Sequence, residues 1–124
     1  MNVVQEKSEL FAIRIIRLSK HLRKARQEHV VSLQIHRSGT SIGANIAEAE
    51  YAMSKKDFLA KMYIAMKECA ETNYWLKILY QTGDLIAEEF HSMASDCTEL
   101  LRLLTAITKS AKQRLNERQT KVVD

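Results

Sequence analysis

Apolar residues recur at three- and four-residue steps through most of the chain, which is the period of helices and not of strands. From a cap at Ser8, Phe11, Ile15, Leu18 and Leu22 fall on one face with Ile16 beside them, which predicts a first helix. Arg14, Arg17, His21 and Lys24 share another face of it, and residues 26–29 read as a link. The next stretch, RSGTSIGANIAEAE, has the glycines and hydroxyls of a loop. At about 100° per residue it sorts three ways. Val31, Ile35, Ile42, Ile46, Ala49 and Met53 form a narrow apolar stripe, and Arg37, Ser41, Asn45 and Glu48 a polar one beside it. Gly39, Gly43 and Ala47 line up four apart on a third side. A loop has no reason to sort its residues, so this is a second helix. Glycine inside a helix costs about 1 kcal/mol against alanine, so the small-residue strip is read as a place of close packing.

A third helix starts at Ser54, with Asp57 three residues on as in a capping box, and stops at Gly83. Phe58, Met62, Ala65, Cys69, Leu76 and Tyr80 share its core face, while Ile64, Trp75, Ile78 and Leu79 lie on a different side. A helix apolar on two sides is buried twice, so Ile64, Trp75 and Ile78 are candidate oligomer contacts. A fourth helix runs from Leu85 or Ala87 to about Glu117. Its seam is Phe90, Met93, Cys97, Leu100, Leu104, Ile107 and Ala111, and a frayed tail follows from about residue 118. The prediction is all-α, an antiparallel up-down-up-down four-helix bundle in a single domain over residues 1–124.

Composition sharpens this picture in a few places. The 124 residues include no proline and three glycines, and aromatics are 6%, which suits long helices better than sheets. Cys69 and Cys97 lack a second ligand at metal spacing and fall on apolar faces, so they read as buried reduced thiols. With no apolar signal core and no long apolar run, the expectation is a soluble cytoplasmic protein without a membrane partner.

Charge is segregated. Residues 10–27 hold six bases (Arg14, Arg17, Lys20, Arg23, Lys24 and Arg26) and no acid. Residues 100–116 hold Arg102, Lys109, Lys112 and Arg114 and no acid, whereas residues 84–99 hold five acids and no base. Such runs point to an electrostatic partner more strongly than the net charge of +4 does. The candidate nucleic-acid contacts, RNA or DNA, are the six bases of the first run, with Lys109, Lys112 and Arg114 second. No base-reading motif is present, so backbone charge would carry the binding.

Catalytic chemistry finds little support. GTSIG has no preceding strand and no Gly-Lys-Ser/Thr, so it is not a phosphate loop. His21, His29, His36 and His91 are scattered and no Glu-x-x-His motif occurs, so no metal or other cofactor is expected. Arg14 and His21 loosely match a helical ribonuclease motif, but Ile15 stands where a polar residue is usual, and chance explains the match better. Arg37 and Glu48 are eleven residues apart, about 16 Å along a helix, and cannot pair directly. The stripe Arg37, Ser41, Asn45 and Glu48 is therefore expected to meet another helix or chain, as a structural polar network or interface.

LQIHRSGTSIGANIAEAEYAMSKKDFLAKMYIAMKECAETNYWLKILYQTG closely resembles the bacterial four-helix bundle proteins of the 23S rRNA intervening-sequence family. The resemblance runs through Arg37-Ser38, Ser41-Ile42, Asn45-Ile46, Glu48-Ala49, Lys56-Asp57-Phe58, Ala65, Lys67-Glu68, Glu71-Thr72 and Tyr74-Trp75-Leu76. It covers most of the chain. It implies a left-handed bundle, a ring-shaped homo-oligomer, typically a pentamer, and no enzymatic activity. A related branch forms the accessory proteins of diversity-generating retroelements, which bind nucleic acid and a reverse transcriptase. The rival expectation is an adaptor ring whose partner is another protein.

Overall fold

Four helices make up the computed structural model, which describes the backbone of residues 2–123 and the side chains of residues 2–118. They are α1 (Val3–Ala25), α2 (Val31–Ala49), α3 (Lys55–Gln81) and α4 (Ala87–Val123). No strand occurs among the described residues.

The first helix begins well before Ser8. Asn2 accepts the Gln5 N–H at 2.9 Å, and the Gln5 side chain accepts the Asn2 N–H at 3.1 Å, a complete capping box. The extra turn seats Val4 in the core, and Ser8 is buried inside the helix, donating to the Gln5 carbonyl at 2.9 Å. α1 ends where Gln27 turns left-handed at φ 56°. Glu28 then caps α2 from outside, accepting the Val30 N–H at 3.3 Å and the Ser32 N–H at 2.7 Å.

Met53 does not continue the α2 stripe. The helix ends at Ala49, and Met53 stands in the link, 96% exposed. Ser54 caps α3 as expected, accepting the Asp57 N–H at 3.0 Å. Asp57 in turn accepts from Met53 N–H at 3.2 Å, one residue earlier than a standard capping box. Gly83, at φ 78°, stops α3 in a Schellman motif, with Asp84 N–H donating to the Leu79 carbonyl at 2.9 Å. α4 passes Glu117 and continues to Val123, since neither proline nor glycine interrupts it. The side chains of the tail expected to fray lie outside the described residues, except for Arg118.

The pairings run antiparallel. Gly39 and Gly43 of α2 meet Ile15 and Ser8 of α1 in reverse order. Lys7 and Arg14 of α1 pair with Glu99 and Asp96 of α4, and Arg26, just past α1, pairs with Asp84, just before α4. The core holds Phe11, Ile15 and Leu22 of α1, Ile35, Ile42 and Ile46 of α2, Met62, Ala65 and Leu76 of α3, and Met93, Leu100 and Leu104 of α4. Leu79, expected on the outer side of α3, is buried in this core. Tyr80, expected inside, is partly exposed and stacks on Phe90 at 4.6 Å. Cys69 and Cys97 are both buried free thiols, and Cys97 Sγ donates to the Cys69 carbonyl at 3.4 Å. Its hydrogen bond with the Cys69 side chain, followed by burial, pushes the Cys97 thiol far above its ordinary value. The α1–α4 seam is the most sparsely packed of the four.

Candidate interaction surfaces

The small-residue strip of α2 is a packing surface toward α1. A Cβ on Gly39 would lie 2.6 Å from Cγ1 of Ile15, and one on Gly43 would lie 3.3 Å from the Ser8 carbonyl oxygen. Ala47 lines, with Gly43, Ala44 and Ala12, a shallow groove of about 290 Å³ between the two helices. Gln5 of α1 closes its lower end by donating to Glu50.

The polar stripe of α2 is bonded mostly to its own helix. Ser41 Oγ donates to the Arg37 carbonyl at 2.6 Å and Asn45 Nδ2 to the Ser41 carbonyl at 2.8 Å. Arg37 and Glu48 are exposed. The Ser41 and Asn45 side chains bond to backbone carbonyls of the stripe, and no side chain of the four bonds to another among the described residues. What crosses from α2 to α3 is buried Ser38, which accepts from Thr72 Oγ1 at 2.9 Å, and the field of Arg37 acting on Glu68.

Glu68 belongs to a surface that the periodicity only half revealed. The outer side of α3 carries Ile64 (39% exposed), half-buried Trp75 and Ile78, and Tyr74 (55% exposed). Trp75 Nε1 donates to Glu71 Oε2 at 3.1 Å, and Tyr74 meets its ring edge-on at 4.9 Å. One oxygen of Glu68 is buried without a hydrogen-bond partner among the described residues. Burial raises the Glu68 carboxyl above its ordinary value, Glu71 raises it further, and Arg37 acts against both. The sequence signal for these carboxylates was available: Glu68, Glu71 and Trp75 are spaced three and four apart, on the same side as Ile64 and Ile78.

The basic run of α1 is partly answered within the chain. Arg14 pairs with Asp96 at 2.5 Å and donates to Ser92 Oγ at 3.1 Å. Arg26 pairs with Asp84 at 3.5 Å and Lys7 with Glu99 at 2.8 Å. Arg23 donates to Ser19 Oγ at 2.7 Å. The acidic run of residues 84–99 thus lies along the basic one. Arg17, Lys20 and Lys24 stay exposed and make no ion pair among the described residues. Arg14 and His21 do line one cleft, about 370 Å³ between α1 and α4, together with Arg17 and Glu89. Asp96 already neutralises the Arg14 guanidinium there.

Lys109, Lys112 and Arg114 are exposed, and with Arg102 and Arg118 they are free of ion pairs among the described residues. Arg102, Lys109 and Lys112 stand on the side of α4 away from its core seam. Phe58 near the start of α3 lines a cleft with Ile107 and Arg114, so the rest of α4 projects past the bundle by about 13 Å, at 1.5 Å per residue. The two basic runs are not one surface. By the same rise, Lys20 and Lys112 lie roughly 35 Å apart along the bundle.

No helix of the described residues is long and apolar enough to cross a membrane, and no three His, Cys, Asp or Glu stand together as metal ligands among them. A comparison with curated proteins returns no match. A crystal structure of a Bacteroides thetaiotaomicron protein of unknown function, from the S23 ribosomal protein family, is similar to this chain at 50% identity. It covers 86% of this chain and 99% of that one, with a TM-score of 0.86. The family model described as 23S rRNA-intervening sequence protein matches residues 1–106, and the chain belongs to that family.

Proposed function

We propose that this protein is a non-enzymatic helical bundle that self-associates, as a ring and typically a pentamer, and binds RNA or DNA by backbone charge. The observation that carries the nucleic-acid half is the end of α4, where Lys109, Lys112, Arg114 and Arg118 are exposed, free of ion pairs among the described residues and clear of the acidic run. This reverses the order expected from the sequence, which put the α1 bases first. Three of those six, Arg14, Arg23 and Arg26, are held by groups of the same chain. The self-association half is supported by Ile64, Tyr74, Trp75 and Ile78, apolar area outside the bundle core that water still reaches.

The test is fluorescence anisotropy with structured RNA and duplex DNA over a salt series, with molecular mass from light scattering on the same samples. Affinity should fall steeply with salt, log K changing by about 0.9 per phosphate contacted on duplex DNA for each decade. Lys109→Glu with Lys112→Glu should weaken binding to all sequences alike. Unchanged affinity in that variant would sink the α4 assignment. The pairing of Arg14 with Asp96 and of Arg26 with Asp84 favours a second reading, an adaptor ring whose partner is another protein, such as a reverse transcriptase. An oligomer that ignores both nucleic acids at low salt would select it.

A further inference from the structure

The inference rests on the self-association proposed above and names the two surfaces that meet. The side of α1 turned away from the core carries Leu10 (58% exposed) and Ile13 (39% exposed), with Arg17, Lys20 and Lys24 above them. The outer side of α3 carries Ile64, Trp75 and Ile78 around the carboxylates of Glu68 and Glu71. One face is apolar and basic, the other apolar and acidic. α1 and α3 stand at diagonal corners of the bundle and do not pack on each other, so the two faces cannot satisfy one another within a chain.

Their heights agree. Gly39 of α2 presses on Ile15 while its neighbour Ser38 is bonded to Thr72, so residue 15 of α1 and residue 71 of α3 share one level. At 1.5 Å per residue, Arg17 lies about 3 Å above that level and Leu10 about 7 Å below it, near Ile64 at about 10 Å below. Further down, Glu9 of α1 falls within about 3 Å of the level of Lys67 on α3 by the same rise. A closed ring needs this coincidence, because copies related by pure rotation meet at equal height. At about 100° per residue, the two faces point roughly 120° apart around the bundle axis rather than opposite ways. Head-to-tail addition therefore turns on itself and closes after about five or six copies instead of growing a filament.

We propose that α1 of one copy docks on the outer face of α3 of the next. Leu10 and Ile13 pack by Ile64, Arg17 meets Glu68 and Glu71, and Lys20 and Lys24 reach the rings of Tyr74 and Trp75. The interface is heterologous: each copy offers both faces, and no copy uses the same face twice.

The experiment measures the mass of the full chain by light scattering for wild type, Arg17→Glu, Glu71→Lys and the double variant. Circular dichroism melts accompany each. Both single variants should shift the population toward the 14.3 kDa monomer, and the double variant should restore the oligomer. A wild type that is monomeric at every concentration overturns self-association itself. An oligomeric wild type whose single variants keep full mass, or whose double variant stays monomeric, overturns this pairing and leaves self-association standing. Should Glu71→Lys unfold, disulfide trapping replaces it, using the exposed positions Leu10→Cys and Ile64→Cys. Mixing the two variants, each with one added cysteine besides the buried Cys69 and Cys97, should give a crosslinked dimer that neither forms alone, and absence of that dimer from an oligomeric mixture overturns the proposal.

Discussion

At the scale of single residues, the glycines separate two kinds of smallness. Gly39 faces branched carbons of Ile15, a fully buried residue that cannot swing away. Overpacking of this kind costs about 1–3 kcal/mol, more than the propensity gained. Gly43 faces Ser8 at 3.3 Å, where a shift of a few tenths of an ångström is enough. In urea unfolding, Gly39→Ala should destabilise, by up to about 2 kcal/mol, and Gly43→Ala should lie near neutral; equal effects would contradict the packing described. Gly83 has open space around it and needs only its φ of 78°, so Gly83→Ala should cost about 1 kcal/mol and Gly83→Asn less. Glu68 adds a pH signature. Its folded carboxyl is raised by burial, so its stabilising contribution is present at acid pH and lost as pH rises through the carboxylate range. Glu68→Gln should therefore raise the melting temperature of the monomeric chain at pH 7 and do less near pH 4. A gain that is the same at both pH values would rule out the carboxylate as its cause. The strip itself was legible in the sequence because helical spacing exposes it. What it packs against was not, since no pattern within α2 names Ile15.

At the scale of helices, element type was read correctly throughout and the errors lay at ends and flanks. The start of α1 was missed because Asn2 and Gln5 form a capping box outside the apolar run. Met53 was taken into the α2 stripe because periodicity alone carries no stop signal, and the break after Ala49 has neither glycine nor proline. Leu79 and Tyr80 exchanged roles because two adjacent positions straddle the edge of the buried arc. Charge is legible along the chain but not across it. The basic and acidic runs were seen, but their meeting depends on α1 and α4 closing the bundle as neighbours, a tertiary fact. The Arg14–Asp96 pair is partly exposed, so it should be worth under about 1 kcal/mol. A double-mutant cycle of Arg14→Ala and Asp96→Ala should find a coupling in that range that shrinks in 1 M salt. A coupling of several kcal/mol would mean that the pair is far less hydrated than its exposure indicates. The α3–α4 seam makes a separate prediction. Cys69 and Cys97 should resist an aromatic disulfide reagent in the folded protein and react once urea unfolds it.

At the scale of the whole molecule, surface assignment and assembly constrain each other. If Arg17, Lys20 and Lys24 meet a neighbouring copy, the segregated basic run left for phosphate is that of α4, and each copy sends that helix past the same end of the bundle. A ring of copies at equal height then collects every projecting α4 on one rim. A single α4 end holds few charges and should bind weakly, whereas a rim of them acts as one multivalent site, with a gain of about 10²–10⁴ over a single contact when one strand spans several. The gain must depend on the length of the nucleic acid, since a strand shorter than the spacing between ends touches only one. Wild type and a monomeric variant of unchanged charge at the same interface, Ile64→Ser, carry identical α4 helices and should bind a very short RNA almost equally. They should diverge strongly on an RNA long enough to cross the rim. Anisotropy with a length series of one repeated sequence, at fixed salt, reads this directly. Parallel curves at every length would show that assembly contributes nothing to binding, and the charge on α4 would then act one chain at a time.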